Sequence, residues 1–380
     1  RSSLVGSEMC IRDRLKTEIV YEKQPYQIEV SGGLLADLFE DGKAWKSLKV
    51  KIDGQLDNKP LQITGDVGPL SALHTGREVS AKLSVQQDDL KVRLDGAFAS
   101  LTELKGSRFA LDASGPSLSR LNTLLGLEMP NTPPFALTAR VEGSEHRLQF
   151  KKLKLTSGES DIGGELSIPL VPGQRIEGAL ESRDLYLQTF VEHSEKPASD
   201  AQPLLERELS TGVLQGLDGS VRLKVQNLHM IAIELEQFVL DAGLEKGRLK
   251  LNMSAENERL TADVELKPVG TEWQFGLNNK GKMDLGELID RKKHGTDESE
   301  APVELEIQLS GKGKSPAAML QSAEGQFLMV IGEGRLSETI ARHLPLGNVL
   351  YSLVGALLHK DKIEDRGKLE CVVLQLDVDN

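Results

Sequence analysis

The sequence predicts a mainly β protein: an elongated, twisted antiparallel β-sheet of repeated strands with a few short helices. Two observations carry that prediction. The first is a short unit of alternating apolar and polar residues closed by a glycine. It occurs as VKIDG at 50–54, LQITG at 61–65, VRLDG at 92–96, LTARVEG at 137–143, LKLTSG at 153–158 and LEIQLSG at 305–311. Strict period-two alternation sends every second side chain to one face of a sheet. Val50, Ile52, Leu61, Ile63, Val92 and Leu94 therefore share an apolar side, and the glycines mark where each strand turns. The second observation is compositional. Aromatic residues make up only 4% of the chain, so aliphatic side chains carry most of the apolar content, as suits a long sheet lined by Leu, Val and Ile.

The elements follow in order. The stretch Met9-Cys10-Ile11-Arg12-Asp13-Arg14 translates a mosaic-end adaptor of transposase-based sequencing libraries, so residues 1–14 are set aside as an assembly scar. A lost native N-terminus has room for a signal peptide or an anchor. Residues 15–192 form the first sheet segment. Leu48–Gly54 and Leu61–Gly65 flank a turn at Asp57-Asn58-Lys59-Pro60, and Ala81–Val85 and Leu90–Gly96 flank Gln87-Asp88-Asp89, with Leu83 and Val85 on the apolar side. Phe109–Gly115 is a strand leading into a helix at Ser117–Leu125, where Leu118, Leu121, Leu124 and Leu125 keep helical spacing, Ser117 caps and Gly126 terminates. Residues 135–143, 148–155 and 164–170 return to strand character, placing Leu137, Val141, Leu153 and Leu155 on the apolar face.

A polar loop at 193–210 separates this segment from a second one at 211–290. There Val221–Val225, Ile231–Leu235, Leu249–Met253, Leu260–Leu266 and Trp273–Leu277 continue the alternation, with Val221, Leu223, Leu249, Leu251 and Val264 facing the apolar side. A charged linker at 291–302 precedes the last segment, 303–380. It opens on a strand bearing Leu305 and Ile307, then Ser315-Pro316 begins a short helix to Gln321, with Gly325 after it and the strand Gln326–Ile331 following. The same strand-to-helix unit near both ends marks a repeat-built protein. Residues 344–358 are almost continuously apolar, but Pro345 and Gly347 break the run and it falls short of the roughly 20 residues that span a bilayer. It reads as a terminal helix, with Leu350, Leu353, Val354, Leu357 and Leu358 closing or lining an apolar groove. The end at Val378-Asp379-Asn380, directly after an alternating run, reads as a second truncation.

Several chemistries find no support. A net charge of −12 disfavours nucleic acid. With Cys10 set aside only Cys371 remains, which permits neither an intrachain disulfide nor a cysteine metal site. The seven histidines sit singly, never at the paired spacing of a helical metal site. Gly313-Lys314-Ser315 resembles the end of a phosphate-binding loop, but Gln308 stands where its first glycine belongs and helix capping accounts for Ser315. Ser160-Asp161 lacks the spacing of a nucleophile elbow and reads as a turn. No enzyme, metal or cofactor is expected.

The stretch FALDASGPSLSRLNTLLGLEMPNTPPFALTARVEG at 109–143, followed by LKLTSGESDIGGELSI at 153–168 and GALESRDLYL at 178–187, resembles the AsmA family of bacterial envelope proteins. LSGKGKSPAAMLQSAEGQFLMVIGEGRL at 309–336 and LECVVLQLDV at 369–378 resemble that family's C-terminal region. The resemblance implies a protein of the Gram-negative cell envelope, held in the inner membrane by an N-terminal helix absent from this sequence, with its bulk in the periplasm. It implies a β-groove similar to that of bridge-like lipid-transfer proteins. The implied partners are phospholipids, the inner membrane and outer-membrane assembly proteins.

An aliphatic groove shields acyl chains because each buried methylene is worth about 0.8 kcal/mol, while the headgroup stays wet. Some twenty strands at about 4.8 Å would give a groove of roughly 90–100 Å. Alternation by itself fits a filled sandwich acting as a scaffold for outer-membrane assembly equally well. The resemblance favours the groove.

Overall fold

A computed structural model describes residues 3–11, 14–21, 24–31, 47–56, 59–68, 78–99, 105–122, 129–171, 174–188, 218–230, 234–284, 301–336, 367–369 and 371–378. The chain divides between Lys196 and Pro197 into two units. In the first, the strands are β1 (Ser3–Ile11), β2 (Arg14–Tyr21), β3 (Gln24–Ser31), β4 (Leu48–Leu56), β5 (Lys59–Gly68), β6 (Val79–Gln87), β7 (Leu90–Phe98), β8 (Arg108–Gly115), β9 (Phe135–Gly143), β10 (Arg147–Ser157), β11 (Ser160–Pro169) and β12 (Arg175–Tyr186). Each pairs antiparallel with the next, an open meander in chain order. Pairing of each strand with the next in sequence makes this the simplest topology available to such a repeat. β1 lies within the stretch set aside as a scar, and its register with β2 slips twice, whereas β2 and β3 pair without a break. An alternating segment of any origin can pair with a free sheet edge.

The second unit repeats the plan with β13 (Asp218–His229), β14 (Glu234–Glu245), β15 (Arg248–Ala255), β16 (Leu260–Val269), β17 (Glu272–Asp284), β18 (Pro302–Gly313), helix α1 (Pro316–Gln321), β19 (Glu324–Ile331), β20 (Gly334–Leu336), β21 (Gly367–Leu369) and β22 (Val372–Val378). β13 to β19 pair sequentially and antiparallel, and β22 completes the sheet on the far side of β19. β20 and β21 form a separate two-stranded ribbon.

The glycines that close the sequence repeat do not mark turns. Gly54, Gly65, Gly96 and Gly311 lie inside β4, β5, β7 and β18; Gly158 alone of the six sits in a hairpin turn, and Gly143 is the last residue of β9. Each in-strand glycine falls on the apolar face, in phase with the aliphatic residues before it. A Cβ at Gly65 would lie 2.1 Å from the Lys82 carbonyl oxygen, and one at Gly96 2.1 Å from that of Arg108. The neighbouring backbone occupies the place a side chain would take, which lets the sheet bend there. Gly243 and Gly276, on the opposite face, meet nothing within 4 Å.

Other sequence expectations shift in detail. The helix expected over Ser117–Leu125 opens with a 3-10 turn at Leu118–Leu121, and Leu124, Leu125 and Gly126 lie outside the described residues. Pro60 is in β5, and Gln87 ends β6 with its side chain buried, donating to the Leu56 carbonyl at 2.9 Å. Of the strand placed at Ile231–Leu235, residues 231–233 lie outside the described residues, and β14 continues on to Glu245. Gly325 is a strand residue of β19. Ser315 and Pro316 do open a helix, α1, that ends at Gln321.

Fully buried side chains gather near strand ends. In the first unit Leu118 and Leu121 pack with Leu90, Ala113 and Phe135. In the second, Ala301, Val303, Met329, Ile331 and Leu374 form one cluster, and Trp273 is buried at the start of β17.

Candidate functional site

The feature with chemical character is the apolar face of each sheet, here called its floor. In the first unit the register aligns one residue per strand into a row: Ile28, Ile52, Ile63, Val85, Val92, Ala113, Leu137, Leu155 and Ile162 face one another in succession. At about 4.8 Å per strand this row extends roughly 38 Å. A parallel row runs Val30, Val50, Gly65, Leu83, Leu94, Leu111 and Ala139. It breaks at a bulge in β10, where Lys152 takes φ 51°, and resumes with Leu153, Gly164 and Leu180. From β3 onward no position in either row is polar.

In the second unit Val221, Ala242, Leu251, Val264, Leu277, Leu309, Gly325 and Val378 form one row. Leu223, Leu240, Met253, Ala262, Asn279, Ile307, Phe327 and Leu376 form the next. Leu249 and Leu305 belong to the rows on either side, opposite Leu266 and Gly281.

Burial divides the residues that the sequence places on this face. Val50, Ile52, Ile63, Leu83, Val85, Val92, Leu94, Leu137, Leu153 and Leu155 keep part of their surface open, as do Val221, Leu223, Leu249, Leu251, Val264, Leu305 and Ile307. Leu61 and Val141 are packed away, at 8% and 2% exposure. Val92, Leu137 and Leu155 lean against the Leu118–Leu121 cluster, and Leu305 against the Val303 cluster. Leu350, Leu353, Val354, Leu357 and Leu358 lie outside the described residues. The rows also contain Leu111, Ala139, Leu180, Leu309 and Phe327, which their strands' alternation would have supplied, and Leu240, which only the register reveals.

Two short elements border the floor at strand ends. Ser117 Oγ accepts from the backbone N–H of Ser119 at 3.3 Å and of Thr132 at 2.9 Å, and donates to Asn131 Oδ1 at 2.8 Å, so one hydroxyl holds the 3-10 turn on the sheet. Ser315 Oγ accepts from Ala318 N at 3.2 Å, and Ser322 ties the end of α1 back to Lys312. Gly311 and Gly313 admit this helix: a Cβ on either would fall within 2.6 Å of Met319 backbone atoms.

Ser160 and Asp161 serve the backbone. Asp161 Oδ1 accepts from the N–H groups of Arg183 at 3.0 Å and Asp184 at 2.9 Å, and Ser160 Oγ from that of Tyr186 at 3.0 Å. These bonds replace ladder pairing after Glu181, where the β11–β12 register ends.

On the outer face of the described strands, charges pair across the ladder. Lys82 pairs with Asp95 at 3.2 Å, Lys280 with Glu306 at 3.2 Å and Lys282 with Glu304 at 2.8 Å, each across neighbouring strands, and Arg222 grips Asp241 through two nitrogens. The Arg222 hydrogen bond holds the Asp241 carboxyl below the usual range, and bonds from Gln62 and then Lys51 do the same for Asp53. Among the described residues no group of His, Cys, Asp or Glu is placed to hold a metal ion.

No protein-family model matches the chain, and no solved structure matches it. A curated relative does: the AsmA family protein YhjG of Escherichia coli (strain K12) is 24% identical over an alignment of 379 residues that covers 87% of this chain. The chain is related to the AsmA family. It spans about half, 52%, of the length of that AsmA relative. The AsmA similarity therefore takes in both units, since 87% coverage exceeds the share of either alone. No helix among the described residues is long and apolar enough to cross a membrane.

Proposed function

We propose that this protein is a component of the Gram-negative cell envelope that binds phospholipid acyl chains along its apolar floors and supports lipid transport to, or assembly of, the outer membrane. The observation that carries the proposal is the partial exposure of the floor at mid-strand. In a filled sandwich, Leu83, Leu94, Leu251 and Val264 would lie beneath a second sheet about 10 Å away. Here Leu83, Leu94, Leu251 and Val264 stay partly exposed, and the described elements that pack on the sheets from outside, the Leu118–Leu121 turn and α1, do so at strand ends. Uncovered aliphatic rows of this extent are rare on a soluble protein without an apolar partner. An acyl chain laid along a row recovers about 0.8 kcal/mol for each methylene it buries.

The chemistry is binding rather than catalysis. A lining of Leu, Val, Ile and Gly presents no nucleophile, no acid and base pair and no anion site, and its uniformity favours sliding over tight capture. The AsmA relationship supports placement in the envelope, and the reading puts the bulk of the protein in the periplasm, anchored to the inner membrane.

The test is direct. The 380-residue chain, purified from a Gram-negative host under mild conditions, is expected to carry phospholipid that native mass spectrometry and extraction detect. A folded protein without lipid, which also takes up none from vesicles, would overturn the reading in favour of a filled β scaffold.

A further inference from the structure

Asn279 interrupts an otherwise apolar row of the floor, the one that runs from Leu223 to Leu376. In the second unit it sits in β17 between Leu277 and Gly281, facing Ala262 on β16 and Ile307 on β18. The rows through Val221 and through Leu305 hold no polar side chain among the described residues, and neither do the two rows of the first unit from β3 onward. The Asn279 amide nitrogen donates to the Thr261 carbonyl at 3.0 Å. A carbonyl only accepts, so this bond fixes which end of the amide is nitrogen. Oδ1 is left with no donor among the described residues, on a side chain that is partly exposed.

We propose that Asn279 is a release point on the acyl-chain path of the second unit, a place where the floor's hold on lipid is deliberately weak. The inference rests on the lipid-groove reading. An acyl chain crossing Leu251 or Val264 buries methylenes against methylenes. The same chain crossing Asn279 must strip water from Oδ1 and offers no hydrogen bond in return. The chain is therefore held less tightly at Asn279 than on either side.

The experiment follows the dissociation of a fluorescent polyene fatty acid from the full chain into phosphatidylethanolamine and phosphatidylglycerol vesicles, by stopped flow. Asn279→Leu, close in volume, should slow release by about tenfold, the scale of one unpaired amide carbonyl. Asn279→Ala, which removes the carbonyl without adding bulk, should also slow it, and guards against a packing effect of Leu. Melting temperatures establish that both variants fold. A wild-type chain that binds the probe while both folded variants release it at the wild-type rate overturns the release point alone. A folded wild-type chain that takes up no probe overturns the lipid reading and this inference with it.

Discussion

Glycine behaves differently on the two faces of these sheets, and the difference can be measured. At Gly96 a side chain would meet the Arg108 carbonyl oxygen at 2.1 Å, a clash with backbone that no rotamer relieves. Gly96→Ala should cost on the order of 2–4 kcal/mol in urea unfolding, as overpacking against a fixed neighbour does. Gly276 meets nothing within 4 Å, and Gly276→Ala should be neutral or stabilise by about 0.5–1 kcal/mol through the entropy of the unfolded chain. Equal effects at the two positions would remove glycine from the account of how the floor bends. Burial also decides where a charge can be tolerated. Val141, at 2% exposure, should unfold its unit when changed to Asp whatever the floor binds, because an unpaired buried charge costs several kcal/mol. Leu94, which stays partly open, is the informative position.

At the scale of elements, the serine caps are the most specific prediction. Ser315→Ala removes one bond to Ala318 N and should cost about 1 kcal/mol. Ser117→Ala removes bonds to Ser119, Thr132 and Asn131 together and should cost more, about 2 kcal/mol, with Leu118 and Leu121 loosened from the floor. Tryptic cleavage near Arg120 provides a local readout. Both caps were legible in sequence because serine before a helical apolar pattern has few other uses. Most strands were legible too, since period two leaves an unambiguous mark. β14 was half hidden: Phe238-Val239-Leu240 is a continuous apolar run in which alternation disappears, so the segment from Phe238 to Glu245 gave no strand signal. The glycines were misplaced for a related reason. A glycine ending an alternating run looks the same whether the chain turns or the sheet bends, and only the register puts Gly65 opposite Leu83. Asn279 could have been found by phase alone, counting by twos from Phe275 and Leu277. The register of β17 with its neighbours is what gives it meaning.

For the molecule as a whole, the separation of an aliphatic floor from a charged outer face sets both its pH response and its function. Asp53, Asp241 and Glu306 are held below the usual carboxylate range by hydrogen bonds, first from Gln62, Arg222 and Lys280 respectively. A carboxylate depressed in the folded state contributes stability above its unfolded pKa and loses it as the pH falls through the folded value. Urea midpoints should therefore gain or lose little from these groups between about pH 7 and pH 5, then fall below about pH 4. The pairs are well exposed, so the effect is small and added salt should shrink it further. The rows through Leu94 and Val264 carry no charge to titrate from β3 onward, so lipid binding there should not follow the same curve.

The most direct test of the central claim places a carboxylate on each face in turn. Phospholipid retained per chain is measured by native mass spectrometry for the wild type, for Leu94→Asp and Val264→Asp on the floors, and for Lys91→Asp on the outer face. The account predicts that all three variants fold, that the two floor variants lose bound lipid, and that Lys91→Asp keeps the wild-type load. Floor variants that fold and retain lipid as the wild type does would contradict it.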